Sequence, residues 1–276
     1  MDAPDRYAVF GHPVGHSRSP WIHARFAALT GQALRYEARD VPPGGFPAAL
    51  AEFLAAGGKG LNATVPHKLA AFAAAERLTP RASRAGAVNT LAVRPEGLLG
   101  DNTDGAGLLR DLVTNLAVDP RGQRVLLLGA GGAARGALPA LLDAAPRELV
   151  IANRDAGKAV ALARESGDGH PVTGTALDAV SGRFDLVVNA TSASLSGAVP
   201  ALPETAVDPA SFCYDMAYGA GPTAFLRWAA GRGAKGADGL GMLVEQAAES
   251  FLLWRGVRPP TAPVLAELRT LAGEGR

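Results

Sequence analysis

Short runs of aliphatic and β-branched residues alternate along the chain with alanine-rich segments of helical length, the pattern that builds parallel sheets covered by crossover helices. Residues 7–10, 34–41, 60–65 and 89–93 read as strands, with helices expected over 20–29, 46–56 and 67–75. Together they make one open sheet. A helical run follows over 104–116, and Asp119-Pro120-Arg121-Gly122 then punctuates the chain. A second α/β unit opens there, with strands expected over 124–128, 148–152, 185–189 and 212–216 and helices over 133–144, 155–165 and 223–231. The remainder, 240–254 and 262–271, is helical.

The first sheet has too few helices to cover both faces, whereas the terminal helices have no sheet of their own. The expected architecture is therefore α/β with two open domains: residues 1–104, completed by 239–276, and a Rossmann-type unit of 105–238. A ligand cleft is expected between them, as is common at domain interfaces.

Composition narrows the function. The 276 residues are 48% apolar and 19% charged, enough for a core that needs neither disulfide nor metal. Basic and acidic residues, 27 against 26, are interspersed and nearly cancel, so no electrostatic footprint for nucleic acid is present and a small-molecule ligand is expected. Cys213 stands alone, which excludes an intrachain disulfide and a cysteine zinc site. The start, Met1-Asp2-Ala3-Pro4-Asp5-Arg6, lacks the basic and apolar regions of a signal peptide. The longest uncharged stretch, 186–203, is broken by Asn189, Thr191, Ser192, Ser194, Ser196 and two prolines and cannot span a bilayer as a helix. A cytoplasmic protein without a membrane segment is expected, as a monomer or homodimer.

The strand Val125-Leu126-Leu127-Leu128 runs into Gly129-Ala130-Gly131-Gly132-Ala133-Ala134, which fits G-x-G-x-x-A. Such a turn can merely close a strand-helix joint. Here a strand precedes it, a helix follows, and a second strand ends at Ala152, the order of a dinucleotide-binding unit in which the pyrophosphate meets free N–H groups at the helix start. At the end of that second strand stand Asn153-Arg154-Asp155, with Lys158 a turn later. A guanidinium and an ammonium suit a ribose 2′-phosphate, so NADP is favoured. Asp155 serves either as a helix N-cap or as an acceptor for an unphosphorylated ribose.

Three polar segments of the first domain fall at predicted strand ends, where ligands of open α/β sheets gather. In Gly11-His12-Pro13-Val14-Gly15-His16-Ser17-Arg18-Ser19-Pro20, Ser17 and Ser19 precede a helix and can bind a carboxylate, although Ser19 can equally be a plain cap. In Asn62-Ala63-Thr64-Val65-Pro66-His67-Lys68, alternation puts Asn62 and Thr64 on one face, and Lys68 falls at a helix start that the helix dipole disfavours. Gly100-Asp101-Asn102-Thr103-Asp104-Gly105 is either a turn and cap or part of a site. A ketone under reduction develops negative charge on oxygen, which the Lys68 ammonium can stabilise and neutralise by proton transfer, with Asp104 holding the lysine. His12, His16 and His67 lie near these motifs, but no metal-ligand spacing accompanies them and hydride transfer to nicotinamide needs no metal.

In order along the chain, these segments together with Gly86-Ala87-Val88-Asn89-Thr90, Asn189-Ala190-Thr191-Ser192, Asp215-Met216-Ala217-Tyr218 and Asp238-Gly239-Leu240-Gly241-Met242-Leu243-Val244-Glu245-Gln246 resemble the NADP-dependent, biosynthetic shikimate dehydrogenases. The resemblance implies reversible reduction of 3-dehydroshikimate to shikimate, on the chorismate route to aromatic amino acids. It implies that Ser17 and Ser19 hold the substrate carboxylate, that Thr64, Asn89 and Gln246 bind its hydroxyls, that Tyr218 lines the same pocket, and that Lys68 and Asp104 are the catalytic pair, Asp104 also touching substrate. It places Gly129, Ala130, Gly131, Gly132, Ala133, Asn153, Arg154 and Lys158 along the cofactor groove, with Met216 and Gly239 near nicotinamide. Departures from the family pattern are Ala63 in place of valine, Ser194 in place of glycine, and Asp155 where a hydroxyl residue is frequent. The alternatives are an NAD-preferring quinate/shikimate dehydrogenase and a non-catalytic nucleotide-binding regulator on the same fold.

Overall fold

A computed structural model describes residues 3–166, 169, 171–191, 193, 197–219 and 221–274. The chain forms two compact units, one of the residues up to Gly107 with Leu243–Ala266, the other of Leu108–Met242 with the chain from Glu267 onward. The last part of the C-terminal segment thus groups with the second unit, where the sequence bookkeeping returns all of 239–276 to the first. In the second unit the Arg269 guanidinium lies 4.0 Å from the Asp238 carboxylate.

The first unit carries strands β1 (Asp5–Gly11), β2 (Leu34–Asp40), β3 (Gly58–Ala63), β4 (Arg77–Leu78), β5 (Thr90–Arg94) and β6 (Gly97–Asp101) in the order β2-β1-β3-β5-β6-β4. Helices α1 (Ser19–Thr30), α2 (Phe46–Ala55), α3 (Lys68–Ala74) and α4 (Pro80–Ala85) connect them. The sheet is mixed. β1 pairs parallel with β2 and β3, but β5 is antiparallel to both β3 and β6. Only Pro95 and Glu96 separate β5 from β6, and Gly97 at φ 113° opens the return strand, a hairpin too short for the crossover that parallel strands require. Phe10, Phe46, Phe53, Leu61 and Leu91 fill the core beneath it.

Beyond β6, α5 (Asp104–Arg110) runs on into a π-helical turn over Asp111–Asn115, where a single α-helical stretch was expected. The second unit holds β7 (Arg124–Leu128), β8 (Glu148–Asn153), β9 (Val172–Ala176), β10 (Leu186–Asn189), β11 (Phe212–Asp215) and β12 (Lys235–Asp238). Their order, β12-β11-β10-β7-β8-β9, with every pair parallel, is that of a doubly wound dinucleotide-binding sheet whose strand order reverses between β7 and β10. Burial on both faces explains why β7 reads Val-Leu-Leu-Leu after Arg124. Helices α6 (Gly132–Asp143), α7 (Ala156–Ser166) and α8 (Ala224–Ala230) cover the sheet.

Helix α9 (Leu240–Arg255) is followed by α10 (Ala262–Glu274). The later turns of α9 complete the first unit: the Trp254 indole donates to the Leu91 carbonyl at 3.0 Å and stacks on Tyr7 at 4.6 Å. Cys213 is buried in β11, and burial pushes its thiol up to about 12. Among the described residues no helix is long and apolar enough to cross a membrane.

Candidate active site

Strand β3 ends at Ala63, and Val65-Pro66 carries the chain out to α3, whose first residue is Lys68. Its ammonium donates to Oδ2 of Asp104, the first residue of α5. The two side chains are 15% and 7% exposed, so the pair is shielded from the solvent screening that makes surface ion pairs nearly worthless. A lysine opening a helix opposes the dipole, and the carboxylate across from it supplies the compensating charge.

Asp104 is held on three sides. Its backbone N–H donates to the Asn102 side-chain oxygen at 3.2 Å, and the Asn89 amide donates to Oδ1 at 2.9 Å. The same Asn89 amide donates to the Thr103 hydroxyl at 2.8 Å and lies 3.4 Å from the Gln246 side-chain oxygen. Gln246 is brought within reach by the close packing of α5 on α9: a β-carbon on Gly107 would stand 2.6 Å from that of Gln246. Lys68, Asp104, Asn89 and Gln246 therefore meet at one place.

Ser17 and Ser19 flank Arg18 at the start of α1. The Ser17 hydroxyl accepts the Ser19 N–H at 3.3 Å, and no side chain caps the helix from the N-cap position, so Ser19 is not the plain cap it could have been. Ser19 is buried beside Tyr36, whose phenol donates to Asn62 at 2.7 Å. Thr64 lies past the end of β3 against Gly11, where a β-carbon would stand 2.4 Å from its methyl. Tyr218 belongs to the second unit, three residues beyond β11.

Neighbouring motif residues have other tasks. His67 is buried, its ring nitrogen 2.6 Å from the Val41 carbonyl and its face on Phe46, which is structural. His12 pairs with Asp40 at 2.6 Å in an exposed position, and that hydrogen bond holds the Asp40 carboxyl below the usual range. Asp101 takes Thr79 and both sides of the Arg81 guanidinium, and Arg81 continues to Glu249, which also accepts from Arg258. Partial burial opposes ionisation of Glu249, yet the bonds from Arg258 and Arg81 prevail and keep its pKa low. This lattice joins β6 to α9.

In the second unit the glycine turn follows β7. Gly129 adopts φ 105°, a conformation that L side chains avoid, and its N–H donates to the Ala152 carbonyl. A β-carbon on Gly131 would meet nothing within 4 Å, and no side chain caps the start of α6. Open space above unsatisfied N–H groups is what a diphosphate requires. Gly132 and Ala133 open α6, with Ala130 packed on the core behind them. After β8, Arg154 and Lys158 are exposed, while Asp155 caps α7 by accepting the Lys158 N–H at 3.3 Å and lies 3.9 Å from its ammonium. The Asn153 amide donates to the Asp155 carbonyl at 3.1 Å. Gly239 touches Met216: a β-carbon there would stand 2.3 Å from the Met216 carbonyl oxygen. Ser192 and Ser194 lie outside the described residues.

Asn62, Tyr36, Thr90 and Ser250 sit in the middle of this constellation, and sequence reasoning gave none of them a part beyond placing Asn62 on the face of Thr64. Asn62 and Thr90 stood inside motifs already singled out; Tyr36 and Ser250 carried no local signal.

Three family descriptions cover most of the chain: the shikimate dehydrogenase substrate binding domain matches residues 9–91, shikimate / quinate 5-dehydrogenase residues 111–207, and the shikimate 5′-dehydrogenase C-terminal domain residues 239–269. The chain belongs to the shikimate dehydrogenase family. A shikimate dehydrogenase (NADP(+)) of Aromatoleum aromaticum is 59% identical over 272 residues, covering 96% of this chain and 97% of that protein. Among solved structures, an Ael1 enzyme from Pseudomonas putida is 48% identical with a TM-score of 0.88, covering 96% of this chain and 98% of that one. Shikimate 5-dehydrogenase of Thermus thermophilus in complex with NADP(H) and shikimate is 37% identical with a TM-score of 0.86, covering 97% of this chain and 99% of that one.

Proposed function

We propose that the protein is an NADP-dependent shikimate dehydrogenase of the cytoplasm, reversibly reducing 3-dehydroshikimate to shikimate in chorismate and aromatic amino-acid biosynthesis. The observation that carries this reading is the shielded Lys68–Asp104 pair with Asn89 and Gln246 around it, in a chain of this family. NADPH, when bound, supplies the hydride. Lys68 then stabilises the negative charge that grows on the carbonyl oxygen and delivers the proton from Nζ, and Asp104 keeps the ammonium in place. In the oxidative direction Lys68 takes the proton back.

Ser17 and Ser19 bind the substrate carboxylate, and Thr64, Asn89 and Gln246 its hydroxyls. Gly129 to Ala133 receive the diphosphate, and Arg154 with Lys158 receives the 2′-phosphate. The Asp155 carboxylate is engaged as the α7 cap and lies beside Lys158, which leaves Arg154 as the cation without a carboxylate of its own motif against it. Absorbance at the reduced-nicotinamide band, followed with shikimate or quinate and with NADP or NAD, tests the assignment. The highest kcat/KM is expected for shikimate with NADP; a preference for quinate with NAD replaces it with the alternative dehydrogenase, and cofactor binding without turnover replaces it with a regulator.

A further inference from the structure

A file of buried polar groups runs from Tyr36 to Asp104, and its hydrogen bonds all point one way. The Tyr36 phenol donates to Oδ1 of Asn62 at 2.7 Å; the Asn62 amide donates to the Thr90 hydroxyl at 3.0 Å; Thr90 donates to Oδ1 of Asn89 at 2.8 Å; and the Asn89 amide donates to Asp104 at 2.9 Å. The direction is not a matter of choice. The Asn62 nitrogen also faces the Asn89 backbone carbonyl at 3.1 Å, which only an N–H can do, so its oxygen must face Tyr36 and the phenol must donate. Likewise the Thr103 backbone N–H donates to Oδ1 of Asn89 at 2.8 Å, which fixes the Asn89 oxygen there and turns its nitrogen to Asp104. Backbone groups thus lock both amides.

Tyr36 is half-buried as a residue, with its ring stacked at 4.2 Å on the fully buried His23 ring; Ser250 closes the file from α9, 2.9 Å from the Thr90 hydroxyl and 3.0 Å from the Asn62 amide. No member of the file except its last carries a formal charge. Of the charged groups around it, Lys68 on α3 faces Asp104 directly, Asp101 on β6 is turned to Arg81, and Glu245 and Glu249 on α9 are taken up by Arg258 and Arg81. His23 on α1 is uncharged at neutral pH, its burial lowering its pKa to about 3.

Hydrogen bonds in series polarise one another, most of all in a buried setting that ends on an anion. We propose that Tyr36, Asn62 and Thr90 are positioning residues for the acid–base pair, acting through Asn89 to keep the Asp104 carboxylate aimed at Lys68. None of the three touches the reacting atoms in this role. The inference rests on the reading of Lys68 and Asp104 as the catalytic pair.

The test compares Thr90→Val, which keeps the shape and removes the hydroxyl, with Thr90→Ser, which keeps the hydroxyl, and adds Tyr36→Phe. Each is assayed for kcat and KM with shikimate and NADP, beside the wild-type protein and Lys68→Ala. Losing one bond of the file is expected to lower kcat on the order of 5- to 10-fold for Thr90→Val and Tyr36→Phe, with KM for shikimate little changed. Thr90→Ser restores kcat. Wild-type kcat in Thr90→Val, a loss that appears in KM and not in kcat, or a loss that Thr90→Ser does not restore, overturns the proposal. If Tyr36→Phe does not fold, the Thr90 pair decides alone. A wild-type protein that does not turn over shikimate, or a Lys68→Ala variant that keeps its rate, strikes instead at the assigned function.

Discussion

Asn89 binds Oδ1 of Asp104 at 2.9 Å, so the ammonium of Lys68 has Oδ2 to itself. The carboxylate cannot rotate away without losing one partner or the other. In the proposed reaction Lys68 is the proton donor, and Lys68→Ala is expected to lower kcat by on the order of 10²-fold or more while shifting KM for shikimate far less. Steady-state kinetics checks it, and near-normal turnover would remove Lys68 from the chemistry.

Arg154 projects from the end of β8 into solvent, while Lys158 lies beside the Asp155 carboxylate. Arg154→Ala is expected to weaken NADP binding by about tenfold, with NAD affinity unchanged, because a guanidinium fork has no partner on an unphosphorylated ribose. Titration with both cofactors measures this. An equal loss for the two would assign Arg154 to the fold.

His23 is fully buried among Phe26, Tyr36, Phe251 and Trp254, and neither ring nitrogen has a hydrogen-bond partner among the described residues. Burial lowers its pKa from 6.5 to about 3, with Asn62 nearby only partly opposing. The unfolded chain therefore binds a proton that the native state refuses. Above pH 6.5 the native state bears no penalty; as the pH falls from there towards 3, stability is lost at up to roughly 1.4 kcal/mol per pH unit. Thermal melts between pH 7 and 4 should show this slope, and His23→Phe should flatten it. A slope that is the same in the variant would put the acid sensitivity elsewhere.

Gly239 has no room for a side chain, since its β-carbon would stand 2.3 Å from the Met216 carbonyl oxygen and 2.7 Å from the carbonyl carbon. Backbone is the obstacle, so relief requires moving β11 or β12. Gly239→Ala is expected to cost about 2 kcal/mol or more of stability and to weaken NADP binding. Unchanged melting and affinity would show that the two strand ends move apart freely.

The strands and helices that alternate cleanly were legible because burial on two faces, or on one, imposes its own period on the sequence. β6 was not, since Gly-Leu-Leu-Gly-Asp has little β-propensity; its Gly100 is required by the packing of Ala75, where a β-carbon would stand 2.7 Å from another. β9, Val-Thr-Gly-Thr-Ala, carries β-formers but is broken at its centre by Gly174, which lets the α7 backbone at Ala159 approach to where a β-carbon would stand only 2.4 Å away. Lys68 announced itself as a residue type that a helix start disfavours, the glycine turn by its spacing after a strand, and Asp104 by its place in a run of four polar residues between glycines. Tyr36 and Ser250 did not, because a tyrosine in a strand and a serine in a helix break no local rule. Their meaning arises only where β2, β3, β5 and α9 converge.

The lattice from Asp101 through Arg81 and Glu249 to Arg258 binds together pieces of chain that leave the ribosome far apart in time. When Gly107 emerges, the partners on α9 have yet to be translated, and at bacterial or eukaryotic elongation rates the interval is on the order of 10 s. Throughout that wait Tyr7, Phe26 and Tyr36 lack the cover that Phe251 and Trp254 later give them. Shielding those rings falls to whatever meets the newborn chain first.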